Sequence, residues 1–199
     1  MKKRKYISAV LLASIFLITK PDSTVQGQTG VFLTYADYKN GNLCYGDDCY
    51  LNDFHKGKFR FNELLGKKYL TIIGNYEKIK LDKEKIFAIQ LCNGALIRFQ
   101  KGQLYMLAEA EEGAFNIYYK EEMKAENKTI YLVRNYFFST KPEGQILPLT
   151  LENLIGAYPE NLKFHRLLYY DSTYGDNDLT SYDSQKKMYR VNKLFLDSL

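Results

Sequence analysis

A train of turn dipeptides between residues 67 and 140, spaced as β-hairpins need them, constrains this chain more than any other feature. Asn93-Gly94 suits the two positive-φ positions of a type I′ turn. A two-residue loop there sets Leu91 opposite Leu96, Ala88 opposite Phe99 and Ile86 opposite Lys101. Lys101-Gly102 reads as a second such loop, setting Phe99 opposite Leu104 and Ile97 opposite Met106. Opposed residues of an antiparallel pair share a face. The two registers predict one apolar face of Ile86, Ala88, Ile97, Phe99, Leu104, Met106 and Ala108, with Gln90 as its strongly polar member. The other face mixes Phe87, Ile89, Leu91, Leu96 and Leu107 with Arg98, Gln100, Gln103 and Tyr105, too apolar for open solvent. The C-terminal helices are expected to cover part of it.

Upstream, Gly74-Asn75 turns a further hairpin that pairs Leu70 with Ile79 and Lys68 with Leu81. Its apolar face is Leu70, Ile72, Ile79 and Leu81, and its polar face is Tyr69, Thr71, Lys78 and Lys80. Downstream, Ala114–Tyr119 and Thr129–Phe138 are rich in aromatic and β-branched residues, with a charged loop Lys120–Lys128 expected between them. Counting runs between turns gives an up-and-down meander of about seven strands, curved or partly closed into a barrel.

Ahead of this lies a targeting segment. Lys2-Lys3-Arg4-Lys5 precedes the apolar run Ile7–Ile18, and a polar stretch ends in Val25-Gln26-Gly27, the order of a secretory signal peptide. A run of twelve residues is too short to span a bilayer comfortably. Cleavage after Gly27 removes five of the 28 basic residues and one of the 23 acidic ones, leaving a net charge of +1. The basic footprint of a nucleic-acid binder is then absent. Residues 28–199 suit one α+β domain, with a meander over about 67–140 and a helical tail over about 150–196. No further transmembrane segment is expected.

Before the meander, Val31-Phe32-Leu33 reads as extended, and Thr34 with Asp37 forms a capping box for a short helix that Gly41 ends. After it, Pro142-Glu143-Gly144 is a turn and Ile146–Leu149 is extended. Thr150 caps a helix to about Tyr158, Asn161 a second to about Tyr170, and Asp178 a third to about Phe195.

The cysteines number three. In an exported chain, Cys44 and Cys49 across a four-residue loop are a candidate disulfide, leaving Cys92 over. Cys44, Asp47, Asp48, Cys49 and His55 are ligand types, but without a second Cys pair or a His pair the bridge is the better reading and no metal is assigned. Cys92 with a histidine lacks any cysteine-protease signature. Asp171, Asp176 and Asp178 do not match a Ca²⁺ loop, and Asp178 serves better as a cap. Glu109, Glu111 and Glu112 form a charged run of the kind usual in solvated loops. His165 falls between helix faces and reads as packed. Neither catalytic residues nor a cofactor are assigned. Among eighteen tyrosines, Tyr118, Tyr119, Tyr131 and Tyr136 are the candidate ligand-stacking surface.

Several short stretches frame the mature chain: Gly30-Val31-Phe32-Leu33-Thr34, Lys39-Asn40-Gly41, Ile146-Leu147-Pro148-Leu149-Thr150, Phe164-His165 and Tyr189-Arg190-Val191-Asn192. On these it resembles a family of small exported proteins of Gram-negative bacteria with no assigned activity. The resemblance implies a periplasmic or cell-surface location and transfers no catalytic residue. The function expected is that of an exported, non-catalytic binding or envelope-accessory protein, its partner an envelope protein or a small ligand. The alternatives are a carrier of a small apolar ligand inside the curved sheet and a hydrolytic envelope enzyme. An accessory module should expose an apolar or aromatic patch, a carrier should enclose a cavity, and an enzyme should converge two titratable groups in one cleft.

Overall fold

The computed structural model describes residues 28–48, 58–73, 78–110, 114–126, 129–174 and 178–199. The expected signal peptide, residues 1–27, lies outside them, as do Cys49 and His55. In chain order the elements are β1 (Gln28–Phe32), α1 (Tyr35–Asn40), β2 (Cys44–Asp48), β3 (Lys58–Phe59), β4 (Tyr69–Ile73), β5 (Lys78–Asp82), β6 (Ala88–Gln90) and β7 (Leu96–Gln100). Then follow β8 (Gln103–Ala110), β9 (Asn116–Glu126), β10 (Thr129–Ser139), β11 (Leu147–Pro148), α2 (Leu151–Ala157), α3 (Leu162–Tyr174), β12 (Tyr182–Asp183), β13 (Met188–Tyr189) and α4 (Arg190–Asp197). The class is α+β, as expected.

The main sheet is antiparallel, with eight strands in the order β11-β10-β9-β8-β7-β6-β1-β2. It is not closed into a barrel, since β11 and β2 are its two edges. The expected single meander is also divided. In the main sheet β6 to β11 follow one another, whereas β4 and β5 leave to form a separate sheet with β3.

Two predicted registers shift, with different consequences. The β7–β8 hairpin has the predicted pairs Phe99–Leu104 and Ile97–Met106, and both Lys101 (φ 50°) and Gly102 (φ 72°) take the left-handed conformation of a type I′ turn. The β6–β7 hairpin instead pairs Ile89 with Ile97 and Gln90 with Leu96, one residue off the expected register. Its loop has three residues: Leu91 N donates to Ala95 O (2.8 Å), and Asn93 Oδ1 accepts from Ala95 N (3.0 Å). Gly94 (φ 81°) supplies the left-handed residue that such a loop needs. Ala88 and Gln90 therefore move to the face of Arg98, and Ile89 joins the face of Ile97. In the β4–β5 hairpin Leu70 pairs with Leu81 and Ile72 with Ile79. That is a two-residue shift, which leaves both predicted faces intact.

Both faces of the main sheet are covered. On the Ile97 face, Val31, Ile89, Ile97 and Phe99 pack against Leu70 and Ile72 of the small sheet. Further along that face, Ile117 and Phe138 pack against Leu154, Phe164, Leu168, Val191, Leu194 and Phe195 from the helices. The helices thus cover the Ile97 face beside the small sheet, not the mixed face for which they were expected. The Arg98 face is covered by α1, whose Tyr35 and Tyr38 lie on Phe32, Phe87, Ala88 and Leu96, and by Ile146 on Tyr105 and Tyr118. Gln100 holds Ile146 in place, accepting from its N–H (2.6 Å) and donating to its carbonyl (2.8 Å).

The caps at Thr34, Thr150 and Asn161 form as the sequence indicates. The third expected helix, from residue 179, does not. A hairpin of β12 and β13 occupies its first half, and α4 begins only at Arg190. Asp183 Oδ1 accepts from the N–H groups of Gln185 and Lys186, and Lys187 (φ 54°) turns the chain back. The helical spacing of Leu179, Tyr182 and Tyr189 is too weak a signal against that turn chemistry.

Candidate binding surface

β9 and β10 pair without interruption from Asn116–Ser139 at the base to Glu126–Thr129 at the tip. The expected charged loop is therefore strand for most of its length. β8 pairs with β9 no further than Tyr119, and β11 pairs with β10 only at Phe137 and Phe138. Beyond those points the two strands form a ribbon whose edges pair with no other strand among the described residues. At about 3.4 Å per residue, the stretch from Lys120 to Glu126 extends it by roughly 20 Å.

The ribbon's side chains sort by face. On the Ile97 face the base is aromatic, with Tyr119 and Tyr136 directly opposed and 6.5 Å apart between ring centres. Tyr136 meets Tyr189 at 5.8 Å, and Tyr189 meets Tyr182 at 5.2 Å. One step outward Arg134 opposes Glu121, donating to it at 2.6 Å, while its guanidinium stands 4.3 Å from the centre of the Tyr119 ring. The hydrogen bonds to Glu121 hold Arg134 protonated even above its ordinary range. Beyond that pair the face becomes apolar and uncovered. Met123 opposes Leu132 and Ala125 opposes Ile130, with Met123, Ile130 and Leu132 exposed to 81%, 70% and 59%.

The candidate tyrosines do not form one surface. Tyr119 and Tyr136 share the Ile97 face, while Tyr118 and Tyr131 are on the other. Tyr118 is fully buried, its hydroxyl 2.9 Å from Arg98 and 3.1 Å from Ser139. Buried Arg98 also donates to Pro142 O and lies 5.3 Å over the Phe87 ring, so this cluster fastens the 139–146 connection to the sheet. Tyr131 is exposed near the tip and donates to Glu126 (3.0 Å). The apolar stripe, the part most open to a partner, was not singled out in the sequence. Its signal was present: β10 alternates Ile130, Leu132 and Arg134, and only two residues separate it from the charged run of β9.

The other candidates are placed as follows. Cys44 is a free thiol, so the expected Cys44–Cys49 bridge is not made; Cys92 is disulfide-bonded, and its partner is not among the described residues. Asp178 Oδ1 accepts from Thr180 N (3.2 Å), and buried Asp171 pairs with Arg190 at 2.5 Å. Asp176, Glu111 and Glu112 lie outside the described residues. His165 Nε2 is 2.8 Å from the Tyr158 carbonyl, a packing contact between helices. No group of three His, Cys, Asp or Glu among the described residues is placed to hold a metal.

Open depressions of about 330 and 280 Å³ flank Lys67 and Lys68. Between them Lys83 is buried, donating to the carbonyls of Glu63 and Leu64 with its ammonium 4.8 Å from the Phe99 ring centre. Desolvation lowers its pKa. Glu63 accepts from Thr71 N (2.7 Å), and hydrogen bonding from the Thr71 side chain, then from its backbone, lowers the pKa of that carboxylate. These contacts join the small sheet to the main one.

The class of structure is thus an open antiparallel sheet, packed on both faces, with a projecting two-stranded arm. Comparison with protein-family models, curated proteins and solved structures finds no match to the chain. No described helix is long and apolar enough to cross a membrane.

Proposed function

We propose that this chain is an exported, non-catalytic binding protein of the bacterial envelope whose contact surface is the β9–β10 arm. The carrying observation is the uncovered stripe of Met123, Ile130 and Leu132 on a ribbon with two open edges. Folded chains rarely leave apolar side chains adjacent and exposed on an unpaired strand without a partner to cover them. The signal-peptide pattern and the resemblance to exported proteins supply the compartment. The carrier alternative is weaker, because the Ile97 face that would have to hold a ligand is filled by the small sheet and the helices.

Native mass spectrometry of the chain isolated gently from its producing cells tests this, comparing wild type with Met123→Lys/Leu132→Lys. The wild type should carry a second polypeptide that the double variant lacks. A small-molecule adduct retained by both and lost on unfolding would favour the carrier and overturn the proposal.

A further inference from the structure

Resting on that reading, we infer that the arm's partner is a second copy of this chain, the outer edges of β9 from two copies pairing antiparallel about a two-fold axis at Met123. Among the described residues this edge makes no ladder pair from Lys120 to Glu126, because β8 stops pairing at Tyr119 and keeps only side-chain contacts with Lys120. On the Arg98 face of that stretch the side chains alternate in sign: Lys120, Glu122, Lys124, Glu126. Their opposite numbers in β10 are Asn135, Val133, Tyr131 and Thr129, all uncharged. Lys120 donates to Gln103 and Glu126 accepts from Tyr131, while Glu122 and Lys124 make no ion pair among the described residues. Directly across the ladder, β10 therefore supplies no counter-charge to these four.

A second copy supplies all of them. With Met123 on the axis, Lys120 stands opposite the partner's Glu126 and Glu122 opposite the partner's Lys124, and symmetry repeats both pairs. Opposite charges directly across a ladder attract, and like charges there repel. A two-fold edge pairing keeps each face on its own side, so the register can change only in steps that move the axis to a neighbouring residue. Centred on Glu122 it would oppose two glutamates, and centred on Lys124 two lysines. Axes at Glu121 and Ala125 would again oppose lysine with glutamate, but only the axis at Met123 pairs the whole stretch from Lys120 to Glu126 with itself. That register also brings the two Met123 side chains together on the Ile97 face, merging both apolar stripes into one patch. The β10 edge, with Arg134 already tied to Glu121, carries no comparable code.

Light scattering of the purified chain over a range of concentrations should show a dimer that weakens in about 0.5 M salt, since exposed pairs are screened. Lys124→Glu and Glu122→Lys should each raise its dissociation constant at least about tenfold, and the double exchange Glu122→Lys/Lys124→Glu should restore it. In a Cys44→Ser background, Met123→Cys should form a covalent dimer on oxidation, being within bridging distance at the axis, and Leu132→Cys should not. A dimer indifferent to the charge exchange, or one cross-linked through Leu132→Cys instead, overturns the inference. A monomer at all concentrations also overturns it. If native mass spectrometry then shows a different polypeptide on the wild-type arm, the arm reading stands without self-pairing; if it shows none, both fall.

Discussion

Asn192 shows how much one side chain carries in this fold. It is fully buried on α4, accepts from Phe115 N (3.0 Å) and donates to Phe115 O (3.1 Å), so a single amide satisfies both backbone groups where the chain enters β9. Replacing it with leucine leaves two buried polar groups unpaired and should cost about 2–4 kcal/mol in urea unfolding. Glu63 offers a pH test. Its folded-state pKa is lowered, first by its hydrogen bonds with Thr71, then by Lys67, so it contributes stability above the unfolded value and loses it as pH falls through the folded one. The wild type should lose stability on acidification from about pH 4.5 downward more steeply than Glu63→Gln. Equal slopes in acid titrations followed by circular dichroism would contradict the assignment.

At the scale of elements, the hairpin train was legible and its detail was not, for one reason. A one-residue slip is visible in a sequence only if one face is polar. Here Ala88 and Gln90 are buried on the Arg98 face just as they would have been on the Ile97 face, so the pattern could not discriminate. The β4–β5 faces were read correctly despite a shift, because a two-residue step preserves them. The arm was missed for the converse reason: with both faces of residues 120–126 in solvent, no apolar alternation marks them as strand. The aromatic residues at its base were found, yet alternation divides Tyr118 from Tyr119 across the sheet. Since the arm's distal side chains touch little, Met123→Lys/Leu132→Lys should change unfolding free energy by no more than about 0.5 kcal/mol. A larger loss in a denaturant titration run where the chain is monomeric would mean that the stripe is part of the core.

For the whole molecule, the two packed faces leave the arm as the separable part. Cys44 and Cys92 differ in the same sense: one is a thiol and the other is already bonded. Alkylation of the unreduced, unfolded protein should label Cys44 and spare Cys92, whereas a label on Cys92 would contradict that state. Oxidation of this kind accords with the proposed export.

On the proposed function, the arm is the surface that meets a partner. A photoreactive phenylalanine analogue placed at Leu132 in the full chain, in the producing cells, tests it most directly. Leu65, exposed but far along the chain from the arm, serves as the control position. A discrete cross-linked polypeptide is expected from position 132, its mass showing whether it is a second copy, and none from position 65. No adduct at 132, or the same adducts from both positions, would contradict it.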